Sequence, residues 1–409
     1  MPPPMPAKLA TFQVPFIALI LSGCGLVIGR PMSTPRPSPA VHSTHSTGTS
    51  VVTLAPDPTS GVSTIDAIPA DTPTGSACGQ SSQTTKRILF SSSLDNPDLP
   101  AKTAVFMFEP NGGRVSLIAG GEGRFFGPIW SPSADRIAYV HSEKVVDGET
   151  DFVELLNLDT MEVSVVSQED GIKAALSWDP AGNRIAYVNT RSGSSQLHIV
   201  TLDSLKVFEL NMPTGNVIAL RWDSLGDKLA FLAKEAKISG SSAVYDLFTF
   251  SPASEEVAQV TRTRDLMPSA PSWSPDGSRI ALAAARNNNV DIYTIQLSDL
   301  TATRVTRDPA VDNSPSWSPT DARIAFESNR GGSYDIDSID MVESRESKVS
   351  VGDSEEIRPN WSADGKYISY VGWNLRADDF LDIVDLESCR LAHIPAATIL
   401  GTPAWEPGN

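Results

Sequence analysis

From residue 87 onward, the chain alternates short apolar runs with clusters of turn-forming residues. Runs such as 136–140, 184–188 and 323–326 begin with arginine and continue with branched, aromatic and small apolar residues. Runs of this length and composition are typical of β-strands. No segment has a 3.6-residue apolar period long enough to predict a helix. The pattern therefore predicts an all-β fold.

Seven of the eight tryptophans mark a repeat of 44 to 51 residues, and a turn sequence such as Ser-Pro-Asp-Gly at 274–277 follows most of them. Proline fixes one turn dihedral, and glycine accepts positive φ. Each turn leads into a strand with a small residue at its third position, and two more strands complete the unit. Four short strands per unit predict the blade of a β-propeller. The repeat tryptophans are Trp130, Trp178, Trp222, Trp273, Trp317, Trp361 and Trp405.

The two ends of the repeat region complement each other. Three strands without a leading tryptophan strand precede Trp130, and a single tryptophan strand, 401–405, ends the chain. The last strand supplies what the first unit lacks. The sequence thus predicts a seven-bladed β-propeller over 86–409, closed by a one-plus-three strand arrangement that removes open sheet edges.

The first 24 residues have the features of an export signal. The apolar run 14–21 is shorter than the roughly 20 residues that span a bilayer, but it suits the apolar region of a signal peptide. It ends in Leu-Ser-Gly-Cys at 21–24, which resembles the lipobox of bacterial lipoprotein precursors. This resemblance implies removal of 1–23, lipidation of Cys24 and anchoring to the outer face of the cell membrane or the periplasmic face of an outer membrane. The alternative is an uncleaved anchor that continues through 26–28.

Residues 24–85 are rich in proline, serine and threonine and carry few charges or large apolar side chains. Such a segment buries too little surface to order itself, so we expect a disordered, extended tether. Cys78 lies just before the first strand and Cys389 lies in the turn between strands three and four of the last unit, so both should flank the closing blade. They are candidates for a disulfide in an oxidising compartment. The alternative is two free thiols, and a Cα separation beyond about 7 Å excludes the bond.

The net charge and the absence of catalytic motifs limit the classes of function. Forty-nine acidic against 32 basic residues give a net charge of −17, which disfavours nucleic-acid binding. The sequence has no G-x-S-x-G elbow, H-E-x-x-H pair or P-loop, and His141, His198 and His393 fall in three different units. We therefore expect no enzymatic activity and no cofactor. The alternative is an envelope hydrolase or lyase with carboxylates of raised pKa in the propeller channel.

The units at 271–281 and 315–332 resemble the TolB-like, or WD40-like, β-propeller repeat. The resemblance covers about 87–409 and is strongest from 265 to 372. It implies a propeller fold and a binding role at the cell envelope, because TolB itself is a periplasmic protein that binds a lipoprotein. Similar repeats also form the non-catalytic propellers of prolyl oligopeptidase-type enzymes.

In a propeller, the loops from strand four to the next strand one share a face with the loops between strands two and three. We call this the loop face. The candidate partner-binding residues on it are Asp265, Asp312, Asp353, Glu356, Arg286, Arg330 and Trp373. Trp373 lies outside the repeat positions, and an exposed aromatic residue on a loop is a typical binding hot spot. The expected partner is an envelope protein or glycan.

Three alternatives to partner binding apply to this face. The first is that the arginines form structural ion pairs with the acidic loops. The second is that Trp373 packs beneath its own loop. The third is a calcium ion in the acidic loops, although the sequence has no EF-hand-like run.

Overall fold

The computed structural model describes residues 65–66, 84, 86–93, 103–145, 148–167, 169–210, 216–234, 245–350, 354–373, 379–386, 390–396 and 398–408. Within these residues the regular secondary structure is entirely β-strand. The all-β prediction is therefore confirmed. No helix long and apolar enough to cross a membrane occurs among them.

Most strands form antiparallel meanders of four consecutive strands. Four such meanders are separate sheets: β5–β8, β17–β20, β21–β24 and β25–β28. Two more, β9–β12 and β13–β16, share one sheet through a single parallel pair, Ser195 with Asn216. These strands are β5 Arg124–Trp130, β6 Arg136–Val145, β7 Gly148–Asn157, β8 Val163–Val165, β9 Ile172–Trp178, β10 Arg184–Arg191, β11 Ser194–Thr201, β12 Lys206–Leu210, β13 Asn216–Trp222, β14 Leu229–Lys234, β15 Asp246–Ser251, β16 Glu256–Gln259, β17 Ser272–Trp273, β18 Arg279–Arg286, β19 Asn289–Gln296, β20 Ala302–Arg304, β21 Asp312–Trp317, β22 Arg323–Ser328, β23 Asp335–Asp340, β24 Arg345–Lys348, β25 Glu355–Trp361, β26 Tyr367–Trp373, β27 Asp379–Asp385 and β28 Arg390–Ala396.

The remaining sheet joins the two ends of the chain. Its strands are β1 Ile65–Asp66, β2 Ile88–Ser93, β3 Thr103–Glu109, β4 Arg114–Ala119 and β29 Thr398–Trp405, in the order β1-β4-β3-β2-β29. The C-terminal strand pairs antiparallel with β2, so that Ile88 lies opposite Trp405. The Arg87 guanidinium also forms an ion pair with Glu406, 2.9 Å from Nη2 to Oε1. One strand from the C-terminal end and three from the N-terminal region thus complete one unit, as the sequence predicts.

Strand β1 departs from the sequence-based expectation. Ile65 and Asp66 fall inside the predicted 24–85 tether, yet they pair antiparallel with Val115 and Arg114 of β4. The edge of β4 presents unpaired N–H and C=O groups, which a short extended segment can satisfy. For these two residues the expectation of an unpaired tether is wrong. Most of the rest of 24–85 lies outside the described residues.

The repeat tryptophans connect neighbouring units. Each ends the first strand of its unit, and all seven are at most 9% exposed. In four units the indole Nε1 donates to the carbonyl oxygen of the residue just before the preceding unit's tryptophan, at 2.9–3.1 Å. One of these bonds runs from Trp130 in β5 to Ala404 in β29. The order of units in space therefore follows the order in sequence and returns to the start.

Arginines at the start of second strands stack on these indoles. Arg87, Arg136, Arg184 and Arg279 each lie over the tryptophan of the next unit, 4.6–5.3 Å from the ring centroid. Such cation–π contacts contribute about 0.5–1 kcal/mol each at exposed sites. This contact explains why most second strands begin with a basic residue.

The core lies between the units. One buried cluster joins Ala138 and Val153 of one unit to Trp178 and Tyr187 of the next. Six of the seven second strands have a small residue near their start, and all six are completely buried: Ala138, Ala186, Ala230, Ala281, Ala325 and Ser369. Small side chains at these positions let adjacent sheets pack closely.

First strands carry an irregularity just before the tryptophan. The pairing register shifts between Phe126 and Ile129 in β5 and between Asn313 and Ser316 in β21. Ala175, Ser314 and Arg358, each three residues before a tryptophan, have φ between 49° and 58°. A bulge of this kind bends the strand and re-aims the residues that follow it.

Candidate functional site

The loop face carries repeated arginine–carboxylate pairs. Arg286 Nε lies 2.5 Å from Asp265 Oδ2, and Arg191 Nη2 lies 3.7 Å from Asp170 Oδ2. Arg286 also lies over the Tyr293 ring, 4.5 Å from its centroid. In both pairs the arginine is the last residue of strand two, and the acid lies in the loop that precedes strand one of the same unit. The geometry corresponds to the structural ion pairs that the sequence left open as an alternative.

Arg330 is the centre of the largest ionic cluster on this face. Its guanidinium contacts the carboxylates of Asp308 (2.9 Å), Asp312 (3.4 Å), Asp337 (3.0 Å) and Glu346. Burial of Asp337 raises its pKa to about 6, despite the adjacent guanidinium. The cluster raises the pKa of Arg330, because the nearby negative charges outweigh its own burial. Arg330 therefore neutralises part of a cluster with excess negative charge.

Asp312 and Glu356 are not exposed loop residues. Asp312 begins β21 and Glu356 is the second residue of β25, and both are completely buried. The expectation that they form part of an exposed binding surface is therefore wrong. Charged residues are rarely fully buried, so an acidic residue beside a loop is normally predicted to face solvent. Here β21 begins at Asp312 and β25 begins one residue before Glu356, so both acids belong to strands and not to the loops.

Glu356 is the most unusual carboxyl group in the described residues. Neither of its oxygens accepts a hydrogen bond from a donor within that part of the chain. Burial and the nearby negative charge of Asp335 raise the pKa of Glu356. Asp335 in turn forms an ion pair with Lys348, 2.9 Å from Oδ1 to Nζ. A buried carboxyl group without donors favours its neutral, protonated form.

Trp373 occupies the last position of β26 rather than a loop. It is half-buried and lies opposite Glu355 in β25 and Asp379 in β27. The following segment, 374–378, lies outside the described residues. The expectation that Trp373 lies on a loop is therefore wrong. It leaves Trp373 at the loop-face end of its strand with part of its surface accessible.

Four of the sequence-predicted residues lie outside the described residues: Cys24, Cys78, Asp353 and Cys389. Lipidation at Cys24 and the Cys78–Cys389 disulfide therefore remain predictions. Across the part of the chain that is described, no group of three or more histidine, cysteine and acidic side chains could hold a metal ion. Calcium in the acidic loops is thus not supported by a described ligand set.

The three histidines of the strand region do not converge. Each pairs with a carboxylate of its own unit: His141 Nδ1 with Glu154 at 2.9 Å, His198 Nδ1 with Glu169 at 3.4 Å, and His393 Nδ1 with Asp382 at 2.6 Å. A tyrosine of strand two lies close to each pair. The Tyr187 hydroxyl donates a hydrogen bond to Glu169, and the Tyr370 hydroxyl donates one to Asp382. These groups stabilise individual units and form no shared catalytic set.

A cavity of about 410 Å³ lies at the opposite ends of the first strands, where the tryptophans occur. We call it the tryptophan cavity. Its walls are tryptophans and turn prolines from several units, and Arg221 and Asp223 are its charged residues. Burial raises the pKa of Asp223, which accepts the backbone N–H of Lys228 at 3.2 Å. A single carboxylate does not provide the acid–base pair of a hydrolase. The sequence contained no signal for this cavity beyond the tryptophan repeat.

Successive four-stranded meanders that pack against one another through a repeated tryptophan define a β-propeller. Residues 253–409 match the family model of the TolB beta propeller domain. The TolB-like resemblance seen in the sequence is therefore confirmed, and this region is a TolB-like β-propeller.

Individual proteins are also similar to parts of this chain. The chain is 37% identical over 75 residues to the Tol-Pal system protein TolB of Ruthia magnifica subsp. Calyptogena magnifica, a match that spans 18% of this chain and 18% of that protein. The crystal structure of TolB from Acinetobacter baumannii superposes with a TM-score of 0.51 at 16% identity, covering 80% of this chain and 68% of that one. An oligogalacturonate lyase in complex with manganese gives a TM-score of 0.58 at 14% identity, with 73% and 86% covered. At these identities the structures show a shared fold alone.

Proposed function

We propose that this protein is a lipid-anchored binding or scaffold module of the cell envelope that recognises a protein or glycan partner through the loop face of a seven-bladed propeller. The match of 253–409 to the TolB β-propeller domain carries the proposal. The curated relative is named as part of the Tol-Pal system, which supports a protein partner in the envelope over a glycan.

The proposed architecture has seven blades and a tether. Seven four-stranded units, each with a tryptophan at the end of its first strand, support seven blades. Leu-Ser-Gly-Cys at 21–24 supports a lipid anchor, and the Pro/Ser/Thr-rich segment after it supports a spacer between membrane and propeller. Two acyl chains anchor a protein stably where one does not.

The anchor is tested by the Cys24→Ser variant of the full chain. We expect metabolic labelling with a radioactive fatty acid to mark the wild type but not the variant, and the variant to leave the membrane fraction. Equal labelling of both proteins contradicts lipidation at Cys24. The matched control is Cys389→Ser, which removes a cysteine without touching the lipobox.

The structure changes which loop-face residues are available to a partner. Asp312 and Glu356 are buried, and Arg286 and Arg330 are held in ion pairs, so these four residues are less available to a partner. Trp373 is the half-buried aromatic side chain at this end of the strands. Partly exposed tryptophans contribute large contact area at low entropic cost, so we assign Trp373 the leading role in partner contact.

Binding through this face is tested with full-length protein and envelope extract. We expect a partner that the wild type captures to be lost, or reduced at least tenfold, with Trp373→Ala. The matched control is Val342→Ala, because Val342 is an exposed apolar residue, 82% accessible, in the turn between strands three and four at the opposite end. Capture unaffected by Trp373→Ala but lost with Val342→Ala places the binding surface on the other face and contradicts the proposal.

A further inference from the structure

The position just before each repeat tryptophan is equivalent in all seven units, and one unit differs from the rest. The seven residues are Ile129, Ser177, Arg221, Ser272, Ser316, Asn360 and Ala404. Six are neutral, and Arg221 carries the only charge. Ser177 and Ser272 use their hydroxyls to accept the backbone N–H of the next unit's tryptophan. Arg221 cannot make that bond, because a guanidinium accepts no hydrogen bond.

Arg221 lines the tryptophan cavity, and its side chain is exposed there. Surrounding protein lowers the pKa of Arg221. Its backbone carbonyl accepts the indole N–H of Trp273 at 3.0 Å. By contrast, no carboxylate or other acceptor of the described residues contacts its guanidinium. Asp223, the other charged residue of the cavity, is hydrogen-bonded to backbone N–H groups instead.

Among the described residues, Arg221 differs from most arginines in having no carboxylate partner. The described region is rich in carboxylates, and most of its partly buried arginines pair with one: Arg184 with Asp179 at 3.0 Å, Arg304 with Asp291 at 2.8 Å, and Arg390 with Asp382 at 3.0 Å. Arg221 is exposed in the cavity and no acceptor of the described residues contacts its guanidinium, so this group is free to bind an anionic ligand.

Three of the repeat tryptophans have an indole N–H without an acceptor in the described part of the chain. The indole N–H groups of Trp178, Trp222 and Trp317 are without a partner within the described residues, and each of these side chains is more than 90% buried. The other four repeat tryptophans donate to carbonyl groups of the preceding unit. These three indole nitrogens are themselves buried, so the guanidinium of Arg221 is the charged donor that a ligand in the cavity can reach.

The rest of the wall combines apolar and polar side chains. Pro132, Pro180, Pro319 and Pro407 lie beside the tryptophans, and Ser177 and Asn360 are uncharged polar residues of the lining. A volume of about 410 Å³ lies within the range of small-molecule sites, roughly 300–1,000 Å³. One guanidinium matches one carboxylate in a bidentate geometry. A dianion such as phosphate calls for a second cation, whereas the second charged residue here is an acid.

We propose that the tryptophan cavity binds an organic monocarboxylate with an apolar body, anchored by the guanidinium of Arg221. Its apolar part contacts the prolines and indoles. The carboxylate belongs either to a small organic acid or to the C-terminal residue of a peptide. The site lies at the opposite ends of the strands from the loop face, so the test of this proposal is independent of partner binding at the loop face.

The test uses the full chain and defined probes. N-acetylphenylalanine represents the small acid, and Ala-Ala-Phe with a free C-terminus represents the peptide. The neutral counterparts are the same two compounds with a C-terminal amide. Binding is followed by isothermal titration calorimetry and by tryptophan fluorescence, since several indoles line the cavity. We expect at least one free acid to bind at least tenfold more tightly than its amide, and the acid that binds identifies the source.

Variants assign the binding to Arg221. We expect Arg221→Gln to weaken binding of the acid at least tenfold, to the level of the amide, and Arg221→Lys to retain part of it. The control is Arg114→Gln, which removes an exposed arginine of β4 that pairs with Glu109. Thermal unfolding of each variant shows that the fold is intact. Absence of binding by both acids, equal binding of acid and amide, or undiminished binding by Arg221→Gln overturns the proposal.

Discussion

At the scale of single residues, Glu356 controls how stability depends on pH. Its carboxyl group is completely buried and accepts no hydrogen bond from the described residues, and burial together with the charge of Asp335 raises its pKa to about 8. The folded state therefore retains a proton that the unfolded state loses near pH 4.5. Stability contributed by the neutral group is present below pH 4.5 and is lost progressively as the pH rises towards 8.

We therefore predict that Glu356→Gln stabilises the protein at pH 8 and is nearly neutral at pH 4.5. The gain is roughly 1–3 kcal/mol, because glutamine keeps the shape of the side chain without a buried charge. Chemical unfolding of both proteins at several pH values measures it. Glu256→Gln, at an exposed position of β16, serves as the control with no pH-dependent gain. A gain that is independent of pH contradicts this explanation.

His141 is a second residue whose raised pKa makes stability depend on pH. Burial opposes its protonation, but the hydrogen bond and charge of Glu154 outweigh burial and raise the pKa of His141. Its ring also stacks on Phe125, with centroids 4.2 Å apart. Since the folded-state pKa lies above 6.5, the stabilising contribution of the charged ring is complete below pH 6.5 and is lost as the pH rises above it.

We predict that His141→Gln destabilises the protein by about 1 kcal/mol more at pH 5.5 than at pH 8.5. Unfolding free energies at the two pH values provide the measurement. In a Glu154→Gln background, the same His141→Gln substitution should cost equally at both pH values, because the carboxylate is the partner that raises the pKa. A pH-dependent cost that persists without the Glu154 carboxylate would assign the effect to another group.

At the scale of strands and turns, much of the structure could be predicted from sequence. The tryptophan repeat, the proline–glycine turns and the arginine-led second strands all act locally, so the pattern of residues contains them. The bulges could not be predicted, because Ala175, Ser314 and Arg358 adopt positive φ without being glycine. The burial of Asp312 and Glu356 could not be predicted either, since it depends on ion pairs and packing between separate segments.

Contacts between neighbouring units can be tested at Arg184. It lies over Trp222 of the next unit, 4.8 Å from the ring centroid, and its Nε lies 3.0 Å from the buried Asp179 Oδ2. We predict that Arg184→Ala lowers the free energy of unfolding by about 1–2 kcal/mol, and that Arg184→Lys recovers part of the loss. Thermal and chemical unfolding measure both. Arg345→Ala, in the exposed β24, should change stability by less than about 0.5 kcal/mol.

At the scale of the whole molecule, closure depends on one strand. β29 is the first strand of the unit that β2–β4 continue, and its Trp405 also donates to Asn360 of the preceding unit while Trp130 of the following unit donates to Ala404. Its position in this unit was predictable, because the unpaired tryptophan strand at one end and the three-strand remainder at the other are both visible in the sequence. The tryptophan cavity was not, because it arises only when separate units bring Arg221, prolines and indoles together.

The last prediction concerns this closing strand. Removal of 398–409 leaves β2 with an unpaired edge and removes two of the indole-to-carbonyl bonds between units. An unpaired edge next to exposed core surface favours association between chains. We therefore expect the truncated chain to lose its single cooperative unfolding transition and to aggregate. Glu406→Gln, which weakens only the ion pair with Arg87, should remain monodisperse and lose about 1 kcal/mol. Light scattering and calorimetry distinguish the two variants. A truncated chain that unfolds cooperatively at the wild-type temperature would show that β29 is not required for closure.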